Sequence, residues 1–306
     1  MAAPPSLAHY AVDASLVHVF VKSSRHHSRL SQAPAARLMA APSELALPMQ
    51  SFVQLTNEAS TLDFCHQAMM RRSRFKDTMA SLLQTFAGMS RTDSNALTDR
   101  GRMFVFGPDH LFKLFGRRRP AGRRLLDVGA GDGSVTANVA PGFDKVTATE
   151  MSQPMLGRLR AKGFEAVGDP DCLAALPAGS FDLVMMLNVL DRASKPRSML
   201  RDLQRLVVPD TGRVLLAVVL PWCPFVENGS EQVVPEEALP MDGGLCKQGA
   251  TFERSLAVLM REVLLPMGFE IEAWSRVPYI SEGDSTQDLY ILDDALLLLK
   301  VPAAAL

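Results

Sequence analysis

The stretch from Arg124 to Glu150, RLLDVGAGDGSVTANVAPGFDKVTATE, constrains the fold of this chain more than any other. Leu125 and Leu126 open a short apolar run that reads as a buried parallel strand. The run ends in Asp127 and passes into Gly129-Ala130-Gly131-Asp132-Gly133. Ser134 stands where a helix N-cap is expected, so a helix should follow the glycines. Lys145 to Thr149 reads as a second strand closing on Glu150. A strand, a glycine turn, a helix and a strand ending in an acid open a doubly wound α/β fold.

Such a turn lets backbone approach a ligand, and the acid can accept two ribose hydroxyls. Nicotinamide dinucleotide enzymes and S-adenosylmethionine (SAM) enzymes share this logic. The dinucleotide pattern G-x-G-x-x-G fails in both registers, because positions 134 and 136 are Ser134 and Thr136. Asp127 and Asp132 flank the turn, where carboxylates repel a pyrophosphate but attract the ammonium and sulfonium of SAM. SAM is therefore the expected cofactor. Asp127, Gly129, Gly131, Gly133 and Glu150 are its expected contacts, with Asn188 beside the transferred methyl group.

At 306 residues the chain can bury one sizeable core and carry an extension. A formal net charge of −1 implies no broad basic face, so no nucleic-acid partner is expected. No apolar run is long enough to span a membrane. Cys65, Cys172, Cys223 and Cys246 are scattered, with no C-x-x-C pair. Neither a zinc site nor a disulfide framework is indicated, and a reducing compartment fits. No metal site is expected, and the chain is read as a cytoplasmic monomer.

Residues 1–45 are rich in Ala, Pro and Ser, with Lys22, Arg25, Arg29 and Arg37 against only Asp13 and Glu44. They read either as an organelle transit peptide or as a disordered tail. Residues 46–107 read as a helical cap and connector. Leu55, Leu62, Met69, Phe75, Met79, Leu82 and Phe86 recur mostly at helical spacing. Arg71, Arg72, Arg74 and Lys76 form a basic cluster, either solvated or facing an acidic partner or membrane surface.

Residues 108–306 form the catalytic domain in this reading. Beyond Glu150 a helix is expected over Pro154 to Lys162 and a third strand over Phe164 to Val167. Asp169 then lies either near an adenine or in a plain turn. Phe181 to Leu187 is a fourth strand, Pro196 to Val207 a helix and Gly212 to Leu220 a fifth strand. A helix from Phe252 to about Leu265 precedes terminal strands over Phe269 to Trp274 and Tyr290 to Leu299. The whole predicts a seven-stranded, doubly wound, mostly parallel Rossmann-like sheet with an N-terminal helical extension, and its tail resembles the ending of class I methyltransferases.

Ligands of such folds sit outside the carboxyl ends of the strands. Asn188 and Asp191, after the fourth strand, should therefore face the reacting group, unless Asp191 merely caps a helix. Methyltransferases acting on DNA amino groups resemble one another in an Asn/Asp-Pro-Pro-aromatic motif there. This chain has the Asn without the prolines or the aromatic, which argues against a nucleobase amine. Pro221-Trp222-Cys223-Pro224-Phe225 leaves the fifth strand at the same end, as a substrate wall or as a plug over the sheet edge.

Several segments together resemble the DREV family of protein-histidine methyltransferases. They are MSRT at Met89 to Thr92, GRMFVF at Gly101 to Phe106, LLDVGAGDG, ATE at Ala148 to Glu150 and LNVLDR at Leu187 to Arg192. GRVLLAVVLPWCPFVE at Gly212 to Glu227, RVPYISEGD at Arg276 to Asp284 and YILDDALLLLK at Tyr290 to Lys300 complete the set. The resemblance covers roughly residues 50 to 302, and the segment Asn228 to Gln248 is only loosely similar. The first 45 residues lack the hydrophobic amino-terminal segment of animal members. The resemblance implies methyl transfer to the pros nitrogen (Nδ1) of histidine in His-x-His motifs of protein or peptide substrates. For such a substrate Asn188 and Asp191, with Tyr290, are suited to orient the target ring, and Trp222, Phe225, Tyr279 and Tyr290 to form a peptide groove, unless Tyr279 is ordinary strand packing. A small-molecule methyltransferase and a non-catalytic SAM-binding module are the rival readings.

Overall fold

The computed structural model describes residues 47–303, except 57, 72, 88, 170, 171, 229, 230, 242–250 and 284–287. The tail read over residues 1–45 therefore lies outside the described residues, as does most of the second half of the 228–248 insertion.

One sheet organises the molecule. Its strands are β1 (Met103–Phe104), β2 (Gly122–Val128), β3 (Phe143–Thr149), β4 (Glu165–Val167), β5 (Leu183–Leu187), β6 (Arg213–Val219), β9 (Glu270–Glu282) and β10 (Leu289–Lys300). They lie in the order β1-β9-β10-β6-β5-β2-β3-β4. β6, β5, β2, β3 and β4 run parallel, and β10, β9 and β1 complete the sheet as antiparallel neighbours. A separate hairpin, β7 (Val226–Asn228) with β8 (Glu231–Val233), follows β6.

The parallel strands are apolar because both of their faces are covered. Leu126, Val128, Val184, Met186, Val214, Leu216, Ala295 and Leu297 face one core. Leu125, Leu183, Met185, Leu215, Ala217, Leu296 and Leu298 face the other. The alternation is the period of two that a strand imposes. α7 (Pro196–Leu206) covers the first face with Leu200, Leu203 and Leu206, all fully buried. Their spacing of three places them on one stripe, and each contributes about 2 kcal/mol. Pro196 opens the helix at the position where its missing N–H costs nothing.

Among the described residues the sheet has eight strands rather than the seven expected. The extra strand, β1, comes from the connector before the catalytic domain and pairs with the far end of β9 at Ile280 and Ser281. β9 itself runs thirteen residues, well past Trp274. Pro278 obscures this continuation in the sequence, yet a proline is tolerated where a strand lies at the edge. β1 covers β9 only at two residues, so Pro278 stands beyond it at that edge.

The helix expected from Ser134 is absent. Short 3-10 turns at Thr136–Asn138 and Ala140–Gly142 replace it. Ser134 donates both its N–H and its hydroxyl to Asp132, at 2.9 and 2.7 Å. Val135, Thr136, Val139, Pro141 and Gly142 are all poor helix formers. The expected helix over Phe252 to Leu265 keeps its extent but divides into α8 (Phe252–Val258) and a π-helical stretch, Leu259–Leu264.

The N-terminal extension folds as α1 (Ala59–Met70), α2 (Arg74–Ala87) and α3 (Arg91–Leu97), followed after β1 by α4 (Pro108–Leu114). α1 packs through Cys65 and Ala68 onto Phe104, Ile280, Leu289 and Ile291. α3 reaches α5 (Gln153–Ala161), where the Ser152 hydroxyl donates to Asp93 at 2.6 Å. Cys65 and Cys172 are free and buried, but Cys223 is disulfide-bonded, against the expectation of no disulfide. The remaining cysteine, Cys246, lies outside the described residues. Among the described residues, no helix is long and apolar enough to cross a membrane.

Candidate active site

From β2 the chain steps outward to β3 and β4, then crosses back to β5 and β6 on the other side. The carboxyl ends of β2 and β5 thus frame the switch point, where open α/β sheets hold their ligands. The glycine turn leaves β2 here, and Asn188 to Arg192 leave β5. The two loops touch: a Cβ on Gly129 would lie 2.5 Å from Cγ2 of Val189. Gly129 also has φ +73°, in the left-handed region that disfavours an L side chain. Its N–H donates to the Thr149 carbonyl at 3.0 Å, which ties the turn to the end of β3.

Glu150 stands where the sequence placed it. Its Oε1 accepts the N–H groups of Met151 and Ser152 at 2.8 and 3.0 Å, and its Oε2 accepts the Gly131 N–H at 2.9 Å. Three backbone donors therefore fix an anion between the turn and the end of β3. Asp127 is buried at the base of the turn. Thr136 donates to its Oδ2 at 2.6 Å, while Oδ1 is buried with no hydrogen-bond partner. Burial pushes the Asp127 carboxyl up to about 7; the Thr136 hydrogen bond opposes this and the nearby Glu150 charge adds to it. A buried acceptor with an unused oxygen fits an ammonium, which would satisfy the oxygen and favour the ionised acid. A Cβ at Gly131 would meet only Cε of Met103, at 3.5 Å, so the turn is open to a ligand. These residues fit the methionine and ribose portions of SAM.

The β5 end holds the other half of the site. Asn188 has φ +57°, a conformation that Asn tolerates better than most residues. Its Nδ2 donates to Oδ2 of Asp294 at 2.9 Å, and its Oδ1 is buried without a partner. Asp191 sits in a 3-10 turn, Leu190–Arg192, apart from α7, whose N-cap is Lys195. The helix-cap alternative for Asp191 therefore does not hold. Arg192 pairs with Asp191 Oδ2 at 3.2 Å, and Oδ1 has no partner. Burial pushes the Asp191 carboxyl up to about 6, against the pull of the Arg192 guanidinium.

Phe225 folds back onto this turn. Its N–H donates to the Asp191 carbonyl at 3.0 Å, and its ring lies 3.6 Å beneath the Arg192 guanidinium carbon. Trp222 differs from expectation: it is 8% exposed and belongs to the larger core. Its large apolar surface is buried behind the loop instead of lining a groove. Tyr279, on β9, donates its hydroxyl to Met103 of β1. Burial raises the pKa of that hydroxyl, and the charges of Asp294 and then Asp191 raise it further. Tyr290 shares a sheet face with Asp294, four residues away on β10, or about 13 Å along the strand. The structure therefore gathers Asn188, Asp191 and Tyr279, with Phe225 against the same turn and Tyr290 farther along. Asp169 follows β4 as an exposed residue whose carbonyl accepts the Cys172 N–H at 3.1 Å.

Asp294 is the residue that motif reasoning about this site passed over. It is fully buried on β10, and its neighbour Asp293 is neutralised by Arg276 at 3.1 and 2.7 Å. Two adjacent acids inside the apolar run YILDDALLLLK were the available signal, because buried carboxyls need partners. Arg192 was likewise missed as the partner of Asp191.

The family model described as DREV methyltransferase matches residues 32–301. The Ubiquinone biosynthesis O-methyltransferase of Xanthomonas axonopodis pv. citri (strain 306) is 28% identical over 146 residues, 45% of this chain and 61% of that protein. The protein of the same name from Aromatoleum aromaticum is 31% identical over 106 residues, 32% of this chain and 45% of that one. The chain thus spans about three-fifths of the length of the first of these curated relatives. Among solved structures, a putative methyltransferase from Bacillus halodurans C-125 matches at TM-score 0.41 and 15% identity, over 60% of this chain and 94% of that one. The DhpI-SAH complex matches at TM-score 0.40 and 13% identity, over 78% and 95%. With the family model covering most of its length, this chain belongs to the DREV methyltransferase family.

Proposed function

We propose that the protein is a SAM-dependent methyltransferase that modifies the pros nitrogen (Nδ1) of histidine in His-x-His motifs of protein substrates, acting as a monomer. The observation that carries this reading is a set of buried, unpartnered acceptor oxygens beside the β5 end: Asn188 Oδ1, Asp191 Oδ1 and Asp294 Oδ1. Arg192 Nη1 is the unpartnered donor among them. Acceptors in this number suit a ligand that brings an N–H.

An imidazole brings one. With an unperturbed pKa of ~6.5 it is largely neutral at pH ~7 and needs no strong base to become a nucleophile. What it needs is the right tautomer, with the proton on the far nitrogen and the near nitrogen free to attack. Asn188 and Asp191 would hold that far N–H. Once methylated, the ring is a cation until it loses the far proton. Asp191, with a pKa of about 6, is suited to stabilise that charge and to accept the proton.

SAM supplies an electrophilic methyl group. Asp127 would hold its ammonium, the Gly129–Gly133 backbone its methionine end and Glu150 its ribose hydroxyls. Phe225, Tyr279 and Tyr290 would line the peptide groove, with Trp222 supporting the loop from behind. α3 would help to exclude water, since its first turn touches both sides of the crevice. Asp93 meets Ser152, and the Thr92 hydroxyl lies 3.5 Å from Glu227 of β7.

O-methylation of a small-molecule acceptor is the second reading, favoured by the likeness to the ubiquinone biosynthesis enzymes. The histidine reading is preferred because that likeness spans 45% of the chain, whereas the family match runs from residue 32 to 301. Incubating the protein with SAM and either Ala-His-Ala-His or its Ala-Phe-Ala-Phe analogue tests the choice. Methyl transfer to the first peptide alone is expected. Transfer to neither, by a protein that binds SAM, would remove the histidine reading.

A further inference from the structure

Asn188 can serve its assigned role only if its carboxamide presents the oxygen, not the nitrogen, to the incoming N–H. A carboxamide can sit either way round, and nothing in the residue's own chemistry fixes the choice. The β5 backbone does not fix it either, because the Asn188 N–H is already committed to the Ala217 carbonyl at 2.9 Å.

We propose that Asp294 is a positioning residue that fixes this choice by accepting the Nδ2–H of Asn188. The two residues come from strands that do not touch. β6 lies between β5 and β10, and Asp294 pairs with Val219 at the end of β6, just beyond the Ala217 that receives Asn188. Asp294 is fully buried; its side-chain partner is the Asn188 amide, at 2.9 Å from Oδ2, and the Val218 backbone is its other hydrogen-bonding neighbour. An acid placed in an apolar strand for stability alone would be expected to carry a cation. Asp293, one residue earlier, does so with Arg276. Asp294 instead holds an amide whose other end is unused. With the nitrogen spent on Asp294, the Asn188 oxygen is left as the acceptor. Burial and the charges of Asp191 and Asp293 push the Asp294 carboxyl up, while the Asn188 amide and the Val218 backbone pull against them; Tyr279 is the remaining titratable group that faces it.

This proposal rests on the histidine reading and deepens it. Its test is a polarity swap. Asp294→Ala releases the amide. Asp294→Asn lets the pair form with either orientation. The double variant Asn188→Asp/Asp294→Asn reverses donor and acceptor, yet again leaves a free oxygen at position 188. All retain a residue at 188 that tolerates a positive φ. Turnover of Ala-His-Ala-His is measured beside calorimetric SAM binding and thermal melting.

The expected result for Asp294→Ala is a fall in kcat of about tenfold to a hundredfold, the scale of a misoriented reacting group, with SAM affinity within about twofold of the parent. Asp294→Asn should fall between parent and Asp294→Ala. The double variant should recover kcat above either single variant. Should Asp294→Ala fail to fold, the near-isosteric Asn variant and the double variant decide alone. Full kcat in Asp294→Asn and Asp294→Ala, or a double variant no better than the product of its singles, would overturn the role of Asp294 alone. A parent protein that binds SAM but leaves the peptide unmodified would overturn the histidine reading and this role with it.

Discussion

Replacing Gly129 by alanine should cost the protein stability by two separable routes. Gly129 has φ +73°, and holding an L residue in the left-handed region costs about 1–2 kcal/mol. The added Cβ would also lie 2.5 Å from Cγ2 of Val189, far inside contact distance. Val189 cannot simply rotate away, because it is β-branched and packs against the larger core. Such overpacking costs about 1–3 kcal/mol. The sum is about 2–5 kcal/mol, to be read from urea unfolding with SAM affinity measured in parallel. The two routes separate in a double-mutant cycle with Val189→Ala. Removing the valine methyls should restore the overpacking share and leave the backbone strain. A Gly129→Ala protein as stable as the parent, or a cycle showing no coupling to Val189, would refute the reasoning.

Glu150→Ala should weaken SAM binding about tenfold to a hundredfold, since it removes a charged acceptor for the ribose and frees the Gly131 N–H; an unchanged calorimetric Kd would contradict this. Asp191→Ala should bind SAM as the parent does and lose turnover by about a hundredfold or more; normal turnover in the folded variant would end its assigned role. Asp127 has its folded-state pKa raised from 3.8 to about 7, so the native state holds the proton more tightly than the unfolded chain. The stability it contributes is therefore complete below about 4 and is lost as pH rises toward about 7. Without SAM, urea midpoints should fall across that window, and Asp127→Asn should flatten the fall; an unaltered slope in the variant would contradict the burial of an ionisable acid there. By the same linkage, SAM affinity should rise with pH through 7 in the parent, as the anion that pairs with the ammonium forms.

The core of the fold was legible because its signals are local. The apolar runs at Leu183–Leu187 and Arg213–Val219, the glycines after Asp127 and the acid at Glu150 each specify structure within a few residues. What escaped reading depends on distant partners. β1 has two residues and exists only because the end of β9 offers it an edge. β9 continues through Pro278 because that edge tolerates a missing donor. Ser134 has the chemistry of a helix cap, but most of the residues after it, from Val135 to Gly142, are poor helix formers, and the segment settles into 3-10 turns. The site divided in the same way. Asp127, Glu150, Asn188 and Asp191 lie beside recognisable motifs, and the structure brings them to the switch point. Asp294 lies about a hundred positions downstream, one of two adjacent acids in a largely apolar strand, and its relation to Asn188 needs the sheet order to become visible. Trp222 stayed open for a physical reason: an aromatic in a proline-flanked loop suits a binding wall or a buried plug equally, and in the structure it is buried.

The central claim, methylation of histidine on its pros nitrogen, is tested most directly by identifying the modified atom. Ala-His-Ala-His is incubated with the protein and SAM, the product is located by fragment mass spectrometry, and the methylated nitrogen is assigned by NMR against authentic pros- and tele-methylhistidine. A single methyl on Nδ1 of one histidine is the predicted result. A methyl on Nε2, or no methyl on histidine from a protein shown to bind SAM, would contradict the account.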